Sequence, residues 1–141
     1  MLLLLSDPGL NGAQITNLAS VDNQDKTAKN TLRLLAEAQL DPRDVLNWNI
    51  VPWATANADA EIDAGAISLR GLLKLLPELR VVVPMGTRAR PGWGRIRAHY
   101  PHLRTHDTAH PAQRGGRVRE LDIVRALRSA RVDAGLSSNP T

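Results

Sequence analysis

The chain has 141 residues, of which 43% are hydrophobic, and a formal net charge of +4, a balance that indicates one folded domain with a sizeable core. It contains no Cys, which excludes disulfides, thiolate metal sites, Cys nucleophiles and iron–sulfur clusters. The apolar opening Met1–Leu5 is too short for a signal peptide, and no segment reaches the roughly 20 apolar residues of a membrane span, so we expect a soluble, cytoplasmic protein without membrane contact.

Charge is divided unevenly along the sequence. Residues 1–66 carry 4 basic and 9 acidic side chains (net −5), whereas residues 67–141 carry 14 basic and 5 acidic ones (net +9). Thirteen of those 14 basic residues are Arg, whose planar guanidinium binds two phosphate oxygens at once. The second half is therefore a candidate nucleic-acid surface, although an Arg-rich solvated surface without a ligand accounts for the same composition.

In chain order, the hydrophobic pattern predicts four strands that alternate with helices. The strands are the apolar runs at Leu2–Leu5, 45–51 and 79–84 and a weaker one at 103–108. The helices run from an Asp25 cap to about Ala38, from Ile62 to Leu76, from about Pro91, and from Arg117 to about Arg131. Their expected core-facing residues are Ala28, Leu32 and Leu35 in the first, Ile62, Ala66, Leu69, Leu73 and Leu76 in the second, and Val118, Leu121, Val124 and Leu127 in the last.

This alternation predicts a three-layer α/β/α sandwich around a central four-stranded parallel sheet. We expect residues 1–133 to form the domain and residues 134–141 to form a flexible tail. Ligands of such sheets bind beyond the carboxyl ends of the strands. Asp7, Asn49, Gly86 and His110 each lie at or just after a predicted strand, so they should meet at one edge of the sheet.

Two Asn interrupt the apolar strand in the stretch NWNIVPW, which spans residues 47–53. A buried amide without a hydrogen-bond partner costs roughly 1–3 kcal/mol. Asn47 and Asn49 are therefore satisfied locally or kept for a ligand. By strand alternation both amides lie on the same face.

Common cofactor motifs are absent from the sequence. There is no Gly-Lys-Ser/Thr phosphate loop, no Gly-x-Gly-x-x-Gly and no His-Glu-x-x-His. Four His lie close together, at positions 99, 102, 106 and 110. They could bind a metal on one continuous helix, but Pro101 and Pro111 interrupt such a helix. We therefore expect no metal and no cofactor, and a metal-dependent hydrolase that uses these His is kept as an alternative.

Three segments resemble the uracil-DNA glycosylase superfamily when they are taken together. LLSDPG follows the first strand, NIVPW ends the second, and HPAQRG follows the fourth. They are similar to the family's Asp/Asn-Pro-Gly/Tyr motif, its strand-end Asn and its His-Pro-Ser/Ala motif, and the likeness extends from Leu2 to about Arg128 as in a bacterial, cysteine-free branch. Two departures are that Leu5 replaces the Gly of the first motif and that the chain has no Phe to stack on a base.

The resemblance implies excision of uracil that has been flipped out of DNA. Asp7 would place the water, His110 would stabilise the leaving base as its negative charge develops, and Asn49 would read uracil through a bidentate amide contact. Asn47 ranks second as the reader. The remaining residues implied to contact the base are Pro8, Gly9 and Trp53, with Trp53 as a substitute for the missing aromatic.

The expected partner is uracil-containing DNA, bound by a monomer. Arg88, Arg90, Arg114 and Arg117 are candidates for phosphate contacts, and Gln113 and Arg114 could enter the gap left by the flipped base. A non-catalytic nucleic-acid-binding protein with the same fold is the main alternative, because the missing aromatic residue weakens base binding.

Overall fold

The computed structural model describes residues 1–7, 26–112 and 115–139. These residues form a four-stranded parallel sheet with the strand order β2-β1-β3-β4. The strands are β1 (Leu2–Leu5), β2 (Leu46–Asn49), β3 (Val81–Pro84) and β4 (Arg104–Thr105). Helices pack on both faces, which confirms the predicted three-layer α/β/α sandwich.

Four α-helices lie in the described part of the chain, namely α1 (Lys26–Glu37), α2 (Ile62–Leu73), α3 (Ala89–Gly94) and α4 (Gly116–Asp133). Short 3-10 turns occupy Pro42–Asp44, Ala58–Glu61 and Arg97–His99. The helix predicted from about Pro91 begins two residues earlier, at Ala89. Pro91 is thus in the first turn, where its missing N–H breaks no intrahelical hydrogen bond. None of the described helices is both long and apolar enough to cross a membrane.

The core has two halves, one on each face of the sheet. Alternate residues of β1 divide between them, because successive side chains of a strand point to opposite faces. The first cluster joins α2 and α3 to one face and includes Leu2, Leu4, Val82, Ile62, Leu69 and Trp93. The second cluster joins α1 and α4 to the other face and includes Leu3, Leu5, Val83, Leu35, Ile123 and Leu127. Each residue of β1 is less than a tenth exposed, as expected of a central parallel strand.

Two helices turn different faces to the core from those predicted. In α4, Val118 and Leu121 are 75% and 46% exposed, because residues spaced by three drift around a helix of 3.6 residues per turn and cannot all share one face with Leu127. Val124 and Leu127 are buried as predicted, and the remaining buried residues of this helix are Ile123 and Ala130.

The prediction for Leu32 in α1 was also wrong. Leu32 is 40% exposed because the buried stripe of this helix is centred on Thr31 and Leu35, which leaves Leu32 at its margin. Ala28 and Leu35 are buried as predicted.

Residues 134–139 follow α4 and return to the domain. Leu136 packs against the second cluster. The backbone N–H of Asn139 donates to the Gln39 carbonyl at 2.7 Å, and the Ser138 hydroxyl donates to the Gln39 side chain at 2.9 Å. This part of the segment predicted to be a flexible tail thus has fixed partners in the structure.

Candidate functional site

The carboxyl ends of the strands bring together residues that are far apart in sequence. Asp7 follows β1, Asn49 ends β2, and the backbone N–H of Ile50 donates to the carbonyl of Leu5 at 2.9 Å. Beyond β3 and β4, Met85 and Thr108 form one further parallel bridge, which places Gly86 and His110 at the same edge. This is the position at which parallel sheets bind ligands.

Asp7 is held through one of its two carboxylate oxygens. Its Oδ1 accepts a hydrogen bond from the Ser6 hydroxyl at 2.7 Å and another from Nη1 of Arg88 at 2.9 Å. Arg88 Nη1 also donates to the Ser6 oxygen at 3.1 Å. Both hydrogen bonds are to Oδ1, and the described residues make none to Oδ2.

Arg88 has a second carboxylate partner. Its Nε donates to Oδ1 of Asp59 at 2.9 Å, and Asp59 lies in the 3-10 turn before α2. The hydrogen bond to Asp59 is the main cause that raises the pKa of the Arg88 guanidinium above its usual value, and the charges of Asp59 and Asp7 add to it. Ser6 and Asp59 are not among the site residues predicted from the sequence. Ser6 could have been noticed as the neighbour of Asp7, but no sequence signal connects Asp59 with the site.

His110 packs directly over a glycine. A Cβ atom added to Gly86 would lie 2.9 Å from the Cβ of His110, and Gly86 has a φ of +97°, a backbone conformation that favours glycine. The Asn30 side chain of α1 reaches the neighbouring loop and donates to the carbonyl of Pro111 at 3.4 Å. Helix α1 and the turn after β3 therefore both fix the loop that carries His110.

The tautomer of His110 follows from one hydrogen bond. Its Nδ1 lies 3.1 Å from the backbone N–H of Ala112 and accepts from it. A ring nitrogen that accepts a hydrogen bond carries no proton, so the neutral imidazole has its hydrogen on Nε2. Nε2 is therefore a donor, the role that stabilisation of a developing anion requires.

Asn47 and Asn49 are buried side by side on β2. They are 8% and 6% exposed, and they pair in register with Leu3 and Leu5, whose side chains belong to the second cluster. Oδ1 of Asn47 has no hydrogen-bond partner, and none of the described residues is hydrogen-bonded to the Asn49 side chain. Asn47 thus carries a buried acceptor that a ligand or a water molecule can satisfy, at the cost of an unsatisfied buried group in their absence.

Trp53 packs on the face of the sheet opposite to Asn47 and Asn49. Its ring lies against the first cluster, and its indole N–H donates to Oε2 of Glu61 at 3.1 Å. Asn49 faces the second cluster, so the structure does not bring the Trp53 ring to the face of this amide.

The predicted DNA-binding Arg differ in their ion pairs. Arg117, in the first turn of α4, donates to both carboxylate oxygens of Glu37 at 2.9 and 2.8 Å. This contact raises the pKa of Arg117 and lowers that of Glu37. Arg90 forms no ion pair with a described residue, and it lines a surface cavity together with Thr108 and Arg119.

The four His do not form a common cluster. His106 pairs with Asp133 of α4 at 2.6 Å, His102 packs near the Tyr100 ring, and His99 ends a 3-10 turn. Among the described residues, no group of three or more His, Asp or Glu could hold a metal ion. Four predicted site residues, namely Pro8, Gly9, Gln113 and Arg114, lie outside the described residues.

The described residues thus place the Asp7 carboxylate, the His110 ring and two buried amides at one edge of a parallel sheet. These groups suit hydrolysis of a bond whose leaving group becomes anionic. Neither a scan against models of known protein families nor a search of curated proteins finds a match to this chain.

Proposed function

We propose that the chain hydrolyses the N-glycosidic bond between uracil and deoxyribose in DNA, without a metal or another cofactor. The observation that carries the proposal is that Asp7, Asn49 and His110 lie at or beyond the carboxyl ends of three strands of one parallel sheet. The resemblance of the three sequence segments that contain them adds to this support. The target base has to leave the duplex stack to reach such a site, which costs a few kcal/mol.

The bond that breaks joins N1 of uracil to C1′ of the sugar. Its electron pair stays on the uracil ring, which becomes an anion, and the sugar becomes an oxocarbenium-like cation. Asp7 stabilises the cation, orients the water that forms the new bond to C1′ and accepts the proton that this water loses. This role is supported by the hydrogen bonds that hold Oδ1 of Asp7, while the described residues make none to Oδ2.

His110 stabilises the leaving base. Negative charge develops on uracil O2 as the bond breaks, and a neutral donor aimed at this oxygen lowers the barrier. The hydrogen bond from Ala112 to Nδ1 supports this role, because it leaves the hydrogen on Nε2.

Asn49 selects the base. Its amide accepts from uracil N3–H and donates to uracil O4, whereas cytosine presents an amino group and an unprotonated N3, the reverse pattern. A site built for paired hydrogen bonds rejects a base that leaves its buried polar atoms unpaired. The burial of Asn49 at the end of β2 supports this assignment.

The proposal is tested by incubating the purified chain with a duplex that holds one uracil, in the presence of EDTA. Abasic sites are then revealed by alkaline cleavage, and a matched duplex with thymine is the control. We expect cleavage of the uracil strand alone. Binding without cleavage would favour the non-catalytic DNA-binding alternative, and activity that EDTA abolishes would favour a metal-dependent hydrolase.

A further inference from the structure

Arg88 connects three polar residues that approach from different parts of the chain. Its Nη1 donates to Asp7 and to Ser6, which are 81 and 82 residues away, and its Nε donates to Asp59, 29 residues away. Arg88 precedes α3, and Asp59 lies in the 3-10 turn before α2. One guanidinium therefore ties the end of β1 to the layer that covers one face of the sheet.

This arrangement limits the rotation of the Asp7 carboxylate. Both of its donors converge on Oδ1, and a charge-assisted hydrogen bond is about twice as strong as a neutral one. Because Arg88 also donates to Asp59, a turn of the Asp7 side chain would have to break the Nη1 or the Nε hydrogen bond of Arg88. We expect these contacts to favour one orientation of the Asp7 carboxylate, as water placement requires.

The same contacts make Arg88 a poor phosphate ligand. Two of its three nitrogen atoms already donate to protein oxygens, and its positive charge lies between two carboxylates. A DNA phosphate would have to displace Asp7 or Asp59 to use the bidentate face. From these contacts we infer that Arg88 is a positioning residue for Asp7, anchored by Asp59, and that it is not a phosphate contact. The inference rests on the proposed function, since it assigns how the Asp7 carboxylate of that site is oriented.

The test compares Arg88→Gln with Arg95→Gln. Arg95 pairs with Asp63 of α2, so the control removes the same charge and a similar Arg–Asp pair outside the site. For each variant, single-turnover excision is measured at saturating enzyme, and affinity for plain duplex DNA is measured across a salt series. Misplacing a reacting group by about 1 Å can lower a rate about 10²-fold.

We expect Arg88→Gln to lower the single-turnover rate by about that factor, with DNA affinity and its salt dependence unchanged. Arg95→Gln should leave all three quantities unchanged. Arg88→Lys should recover part of the rate, because one ammonium group can still reach Asp7 but cannot also hold Asp59. A purely structural role of Arg88 would instead lower the melting temperature without a selective loss of rate.

Asp59→Asn is the second variant if Arg88→Gln fails to fold. Asp59 is 72% exposed, so this change should leave the fold intact, and a smaller loss of rate is expected at unchanged DNA affinity. The inference is overturned if either folded variant cleaves at the wild-type rate. It is also overturned if Arg88→Gln reduces the salt dependence of DNA binding by the amount expected for the loss of one phosphate contact. A wild-type chain that excises no uracil overturns the proposed function, and the inference with it, so the two failures are distinguished by the wild-type control.

Discussion

The two sides of the candidate site differ in how their polar atoms are satisfied. On the β1–β3 side, Asp7 and Arg88 are joined by hydrogen bonds of 2.7–3.1 Å that also include Ser6. On the β2 side, Oδ1 of Asn47 is buried without a partner, and no described residue is hydrogen-bonded to the Asn49 side chain. A satisfied group is held in one orientation, whereas a buried unsatisfied group gains most from a ligand. Under the proposed function, the chemical step belongs to Asp7 on the first side and base selection to Asn49 on the second.

The largest expected effects come from substituting Asp7 and His110, the two residues proposed to act in the chemical step. General-base placement contributes ~10²–10⁴-fold to a rate, and one donor to a developing anion contributes ~10²–10³-fold. We expect Asp7→Asn and His110→Ala to slow single-turnover cleavage by about these factors, with little change in DNA affinity. Rate and equilibrium binding are measured side by side. If Asp7→Ala cleaves as fast as the wild type, Asp7 has no catalytic role and its Pro-Gly context is only a turn.

Substitution of Asn49 should change which base is excised, rather than slow the excision of every base. An Asp at position 49 can accept from the cytosine amino group, so Asn49→Asp should excise uracil more slowly and release some cytosine. Matched duplexes with uracil or cytosine at one position provide the measurement. If Asn47→Ala abolished excision while Asn49→Ala left it intact, Asn47 and not Asn49 would be the residue that recognises uracil.

The unsatisfied amide should also affect stability. Replacing Asn47 with Leu removes a buried acceptor that has no partner, so Asn47→Leu should raise the free energy of unfolding by about 1 kcal/mol. Thr31→Val is a control at an equally buried position, because the Thr31 hydroxyl already donates to the carbonyl of Thr27 at 2.8 Å and its loss brings no such gain. Denaturant titrations compare both variants with the wild type, and a destabilised Asn47→Leu would mean that this amide has a partner in solution.

The smallest effects are expected at the surface, where Arg90 and Arg117 extend the same comparison. Arg117 has to leave Glu37 before it can bind a phosphate, whereas Arg90 has no ion pair within the described residues. Arg90→Gln should therefore weaken binding to uracil-bearing and plain DNA alike and lower the salt slope by about 0.9. Arg117→Gln should have the smaller effect. Equal effects of the two substitutions would show that the Glu37 pair does not compete with phosphate.

The charge division along the sequence illustrates what sequence patterns alone leave open. The acidic first half and the Arg-rich second half suggest two separate electrostatic regions. In the fold, however, Arg of the second half pair with carboxylates of the first, as in Arg88 with Asp7, Arg95 with Asp63 and Arg117 with Glu37. Part of the positive charge is therefore neutralised within the domain, whereas Arg90 forms no ion pair with a described residue.

The hydrophobic pattern alone is enough to predict the layers of the fold and the edge of the sheet at which the predicted site residues lie. Alternating apolar runs and helical stripes require a parallel sheet covered on both faces, and the polar residues after each strand then have to meet at one edge. Local spacing did not determine the rotation of α4, because Val118 and Leu121 are exposed while Ile123 and Ala130, which were not predicted to face the core, are buried. Burial of an amphipathic helix depends on the surface that it meets, which its own residues do not contain.

Which polar groups form hydrogen bonds with one another depends on tertiary packing. The contact of Arg88 with Asp7 spans 81 residues, and the approach of Gly86 to His110 depends on the bridge between Met85 and Thr108. Hydrogen bonds act over about 3 Å and need a definite angle, so they form only after packing has fixed both ends. Sequence periodicity indicates which side of a helix or strand is buried. The orientation of the Asp7 carboxylate depends instead on residues that are distant in sequence and share no periodic pattern with it.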